Sequence, residues 1–292
     1  MKIVQWLIFF VFLGNNLQAQ NYQDQKTRFV LTNIGVNGIA GGIGAVINKK
    51  PDEKFGRVLL KGFGQGCLGG GFNVLGKEIT YQINVKENIG YAWPARITNA
   101  IGSSITQNAA ANRDFWERWH FNLGPVRLEY RIPEKKFQAR VFASAVYGTT
   151  FMAVNGKLNL EKSIKTGVMF FERSDDFTLY GDKAPGIMVA PAIGVSKQHS
   201  GSYYHYLVAH EVMHILQFDQ LSSLNSFTDR VDAKLKSDFN FYDKASKYFY
   251  LDLNGLTMLG LYMTQINQSW QCRYFEREAD VFSNRRVYPK CK

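Results

Sequence analysis

His210 and His214, four residues apart in His210-Glu211-Val212-Met213-His214, are the residues whose types and spacing most directly offer chemistry. On a helix, positions i and i+4 stand one above the other, so both imidazoles face one point in space. Imidazole nitrogens bind zinc at about 2.0–2.1 Å, and a catalytic zinc takes three protein ligands and leaves a fourth position for water. Glu211 would flank that water, whose pKa the metal lowers to about 7; its carboxylate is placed to take the proton and return it to a leaving amine.

A third ligand is offered by Glu276-Arg277-Glu278-Ala279-Asp280. Glu276 and Asp280 again stand at i and i+4, so one carboxylate can reach the metal while the other, one turn on, orients a histidine ring. With both motifs the chain resembles the gluzincin zinc metallopeptidases, which join H-E-x-x-H to a Glu ligand on a later helix. The form E-x-x-A-D is most similar to the branch of the CAAX prenyl proteases and minigluzincins. The resemblance spans about residues 200–285 and implies His210, His214 and Glu276 as zinc ligands, Glu211 as general base and Asp280 as an outer carboxylate. Glu278 ranks second as third ligand, because it has no i, i+4 relation to Asp280. No histidine follows Asp280 to stabilise an oxyanion; Arg285 and Arg286 are the substitutes, and each also reads as a helix-end cation.

The elements that must position these residues follow in chain order. Met1-Lys2, the apolar run Ile3–Gly14 and the stretch to Ala19 read as a secretory signal peptide, with Ala19 before the cut and Leu17 larger than usual two places earlier. The run is too short to span a bilayer of about 30 Å. Export places the protein in a periplasm, in an envelope or outside the cell. The chain carries a formal +11, or +10 without residues 1–19, since only Lys2 is lost. That balance favours anionic surfaces or acidic partners, including a membrane surface. Nucleic acid is excluded as a partner: the basic residues are scattered and no binding module is visible.

Residues 20–116 form a glycine-rich, helical segment. Gly62, Gly66 and Gly70 recur every four residues, and Gly35, Gly38, Gly41, Gly42 and Gly44 crowd a stretch without charge. Such spacing lets helix backbones approach closely, as in membrane-embedded pairs. The polar Thr32, Asn33, Asn37, Gln65 and Asn73 favour a closely packed soluble segment over a hairpin entering a bilayer. A helix is expected over Ile97–Ala111, and Trp93, Phe115, Trp116 and Trp119 read as core or interface anchors.

Residues 117–292 are expected to hold an antiparallel β meander and a helical, zincin-like part, making the chain α+β. Alternation predicts strands over Phe121–Ile132, Phe137–Val154, Ile164–Arg173 and Gly186–Val195, with turns at Pro133–Lys136 and Asn155–Lys157. In gluzincins a sheet edge beside the motif helix holds substrate as an added strand, and the resemblance implies that role here. Helices are expected over Tyr203–Phe218, Asp229–Ala245, Tyr248–Ile266 and Gln271–Arg285, with Leu253–Met263 read as buried rather than interfacial. His120, His199 and His205 read as structural or surface residues. Of three cysteines, Cys272 and Cys291 either pair, leaving Cys67 free, or all three stay as thiols.

The expectation is therefore an exported zinc-dependent peptidase acting on a peptide or protein. Two other readings stand beside it: a non-catalytic, zinc-stabilised envelope protein, and a membrane-associated interaction protein built on the glycine-rich hairpin.

Overall fold

The computed structural model describes residues 22–179 and 182–286, so the signal-peptide reading and Cys291 lie outside the described residues. The described residues begin with three helices, α1 (Tyr22–Ile47), α2 (Phe55–Val85) and α3 (Ala92–Ala110), with a 3-10 turn at Ile89–Tyr91 before the third. Their contacts run backbone to backbone. A methyl group added at Gly66 would overlap the Asn37 carbonyl of α1, and one at Gly102 the Gly69 carbonyl of α2. Buried Asn33 and Asn37 satisfy their own amides by donating to the carbonyls of Phe29 and Asn33, four residues back. By length and composition α1 is apolar enough to cross a membrane, yet 44% of its most apolar window is buried inside the fold.

A meander follows: β1 (Arg118–Leu123), β2 (Val126–Arg131) and β3 (Lys136–Phe142), antiparallel throughout. The single strand expected over 121–132 is two, because Gly124 at φ +54° turns the chain between Leu123 and Val126. The strand expected over 137–154 stops at Phe142 and continues as α4 (Ala143–Asn155). Here helical spacing overrides alternation: Ala145 and Met152 are buried seven apart, and Gly148 between them closes on the Ala190 carbonyl.

The chain then forms β4 (Lys157–Leu158) and α5 (Leu160–Thr166). Asn159 caps α5 by accepting from the Lys162 amide, and Gly167 at φ +68° ends it. Those two signals shorten the expected strand 164–173 to β5 (Met169–Arg173). After the small ribbon β6 (Phe177–Leu179) and β7 (Asp182–Ala184), the extended piece at 186–195 splits into β8 (Gly186–Val189) and β9 (Ala192–Ser196) around Ala190-Pro191. The second sheet runs β4-β5-β9-β8, with β5 and β9 parallel and β8 at an edge. It is therefore mixed, not an extension of the antiparallel meander.

The C-terminal part comprises α6 (Gly201–Gln220), a 3-10 stretch at Leu221–Thr228, α7 (Asp229–Asp238), α8 (Asn240–Ala245), β10 (Phe249–Tyr250), α9 (Asn254–Met263) and α10 (Tyr274–Asn284). The single helix expected over 229–245 breaks at Phe239, whose backbone is extended. The one expected over 248–266 begins instead as β10, which lies parallel to β3. Fold class is thus α+β. One core joins the early helices to the later ones: Ile83 and Ala92 pack with Val208, Val212 and Ile215, and Phe29 and Ala95 with Met213, Ala279 and Phe282. Cys272 is disulfide-bonded, and Cys67 is a free thiol.

Against one face of the meander lies a buried charge cluster. Glu129, almost wholly buried, meets Arg127 at 3.4 Å, Arg140 at 3.2 Å, Arg131 at 3.0 Å and Arg118 at 3.5 Å. Burial pushes its carboxyl up, but the four guanidinium groups more than reverse this and hold it well below the usual carboxylate range. A depressed folded pKa contributes stability above the unfolded value, near 4.5, and loses it as pH falls from there. Glu129→Gln is expected to cost about 3 kcal/mol in urea unfolding at pH 7. The gap to wild type should narrow as pH drops below about 4.5; an equal gap at pH 3 and pH 7 would refute this account.

Candidate metal centre

The motif helix α6 and the last helix α10 pack directly on each other, and each turns its histidines or carboxylates toward the other. His210 Nε2, His214 Nε2 and one Glu276 carboxylate oxygen lie within 4.8 Å of one another. The two Nε2 atoms are 3.1 Å apart, and Glu276 Oε2 stands 3.1 Å from the first and 3.4 Å from the second. Tetrahedral ligands about 2.0–2.1 Å from a shared zinc sit about 3.3–3.4 Å from one another, so the three atoms are spaced as such ligands are.

The proton positions support the same reading. His214 Nδ1 lies 2.7 Å from the Gln217 carbonyl oxygen, which can only accept, so Nδ1 carries the hydrogen and Nε2 presents its lone pair. His210 Nδ1 likewise donates to Asp280 at 3.0 Å. Three acceptors thus converge on one point, an arrangement that calls for a cation between them. Without a metal a proton serves: Asp280 and Glu276 drive His210 well above the usual imidazole range despite the opposing effect of burial. Burial raises Glu276 too, but the two imidazoles outweigh it and hold that carboxyl far down.

The outer partners are as well defined. Asp280 also accepts from the Tyr206 hydroxyl at 2.7 Å, and the second Glu276 oxygen accepts from the Tyr262 hydroxyl of α9. Gln217 is fixed at its other end, where Nε2 donates to the Phe275 carbonyl at 3.0 Å and to Glu278 at 2.9 Å. Glu278 in turn receives Lys77 Nζ at 2.9 Å and the Asn33 amide. Lys77 is 1% exposed, and its charge keeps Glu278 compensated inside the core. A continuous chain of donors and acceptors therefore runs from Lys77 of α2 through Glu278 and Gln217 to His214. Asp280→Ala, which removes the acceptor for His210 Nδ1, is expected to weaken zinc binding about 10–100-fold by competition with a chromophoric chelator. An unchanged affinity would show that Asp280 does not orient the ring.

Glu211 is buried beside these ligands and faces β8: a methyl group on Gly186 would come within 2.6 Å of its carboxylate. Burial pushes Glu211 up to about 7, against the lowering effect of His210 and His214. A carboxyl in that range exchanges protons near neutral pH.

The structure thus brings His210, His214 and Glu276 together, with Glu211 and Asp280 alongside. It directs Glu278 away from them, into the Lys77 pair. Arg285 lies over the Tyr81 ring at 4.3 Å and reaches toward Tyr22, so it packs on the early helices instead of facing the centre. His120 is buried between Ser104 and Ser222, while His199 meets Asp176 and His205 Nδ1 donates to the Gly201 carbonyl in the first turn of α6. Sequence reasoning missed Tyr206, Gln217, Tyr262 and Lys77. Helical spacing, four before His210 and three after His214, was a signal for the first two; none marked the others.

The chain matches no family model, and no curated protein or solved structure matches it. Function must therefore be argued from the geometry.

Proposed function

We propose that the protein is a zinc-dependent peptidase of gluzincin type, exported and acting on peptide or protein substrates. One observation carries the reading: three lone-pair atoms, from His210, His214 and Glu276, converge with both histidine Nδ1 atoms already committed to acceptors. His210, His214 and Glu276 would hold a zinc ion, whose chemistry there would be to polarise a substrate carbonyl and activate a water. Glu211 would take up that water's proton and return it to the leaving amine. Asp280 and Gln217 keep the imidazole rings turned, with each Nδ1 donating and each Nε2 directed to the centre. Tyr262, donating its hydroxyl to the second Glu276 oxygen, fixes the ligand carboxylate from α9.

The edge strand β8 supports a peptide substrate. It ends the second sheet and passes Glu211 at Gly186, so an extended chain pairing with its open edge would lie across the general base. The absence of a side chain at Gly186 leaves room for the Glu211 carboxylate to lie against the strand.

The test is metal content of purified wild type beside His214→Ala and Glu276→Ala, followed by cleavage of a mixed peptide library. Zinc at one per chain, lost in both variants, with library cleavage that a chelator abolishes, is the expected result. Zinc without cleavage would reduce the centre to a structural one. No zinc after refeeding would overturn the proposal.

A further inference from the structure

The helix α9 is expected from its composition to be buried, and only one side of it is. Asn254 and Met258 are buried, and Leu261 and Tyr262 pack toward Phe218 and Phe275. The other side is open: Leu256 is 70% exposed, Leu259 53% and Met263 55%. These three share one helical face, at i, i+3 and i+7. Leu251 before the helix, and Ile266 and Trp270 after it, are each at least half exposed as well. Scattered exposed apolar residues need no explanation, but six large ones within twenty consecutive positions mark an interaction face.

Charge selects the partner. From Leu253 to Cys272 there is no Asp, Glu, Lys or Arg. In the wider stretch 243–273 the two acids are Asp243, which pairs with Lys247 at 3.3 Å, and Asp252, which is buried and accepts from Ser144. Lys244 and Lys247 are exposed and Arg273 is half-buried against the Trp270 ring, leaving a net positive charge. A second copy docked through this face about a two-fold axis would set like charges against each other. A bilayer bearing anionic headgroups answers both features, with the apolar residues entering the acyl boundary, the lysines at the phosphates and Trp270 with Tyr248 and Phe249 at the interface. Ten helical residues reach only about 15 Å, so α9 can lie in such a surface and cannot cross it.

We infer that the outer face of α9, with the flanking residues Leu251, Ile266 and Trp270, docks the protein onto an anionic membrane surface. The face is independent of the metal. Because α9 also carries Tyr262 to Glu276, docking would set the candidate centre close to the headgroups, and on the peptidase reading it would favour substrates held at the membrane.

The experiment is co-sedimentation of the purified chain, with chelator present, with vesicles of phosphatidylcholine alone or mixed with phosphatidylglycerol. Binding is expected only to the anionic vesicles, weakened at high salt. The double variant Leu256→Asp/Leu259→Asp, whose exposed positions leave folding intact by circular dichroism, is expected to bind at least about tenfold more weakly. Leu31→Asp/Leu60→Asp, on the exposed side of α1 and α2, should bind as wild type does. Loss of binding in that second variant alone would move the membrane face to the glycine-rich hairpin and overturn the inference. So would the absence of vesicle binding, and a concentration-dependent dimer abolished by the α9 variant would then identify a second copy as the occupant.

Discussion

Glu211→Gln is expected to retain zinc at the wild-type level while lowering peptide hydrolysis by about 10²–10⁴-fold, the contribution a positioned general base makes. Glutamine keeps the size of the side chain and its place beside Gly186, so neither the fold nor the three ligand atoms should respond. What it loses is the ability to take up a proton. The loss should fall on kcat and kcat/KM together, with KM little changed, because proton transfer belongs to the transition state. A loss below about threefold would assign the proton to another group. Loss of zinc in this variant would instead make Glu211 part of the metal-binding set.

Lys77→Met should have the largest effect on stability. Both Lys77 and its partner Glu278 are about 1% exposed, and removing the cation leaves a carboxylate in the core with only amide donors. The expected cost is about 3–5 kcal/mol in urea unfolding of the metal-free chain. A second effect is expected at the metal. Gln217 holds His214 only while Glu278 and the Phe275 carbonyl hold Gln217, so zinc affinity should fall about tenfold even where the variant is fully folded. Lys77→Met/Glu278→Met removes the uncompensated charge and should recover much of the stability without restoring the affinity. A single variant within about 1 kcal/mol of wild type, with unaltered zinc binding, would show that the pair neither stabilises the core nor supports the centre.

The parts of this molecule legible in the sequence are those governed by short-range periodicity. The i, i+4 pairs at His210 and Glu276 were readable because helical geometry alone brings each pair to one face. The four-residue glycine spacing pointed to close helix packing for the same reason. Helix α4 was misread because Ala143–Asn155 alternates and is rich in β-branched and aromatic residues, yet its small residues fit the β8–β9 turn at Ala190. The outward face of α9 was misread because apolar composition does not say which side of a helix has a neighbour. Lys77 gave no signal at all. A lone lysine on a glycine-rich helix is unremarkable until its partner, 201 residues away, is seen beside it.

That separation also orders events in time. The contacts of α1, α2 and α3 join neighbours along the chain and can form as soon as those helices exist. The centre cannot: Glu276 comes 66 residues after His210, and the helix that delivers it also brings Glu278 to Lys77. During synthesis, a chain that has not reached α10 holds two imidazoles without their carboxylate and a lysine without its counter-charge. The step that buries Lys77 is therefore the step that completes the centre, and on the proposed function a nascent chain is hydrolytically silent until that helix docks.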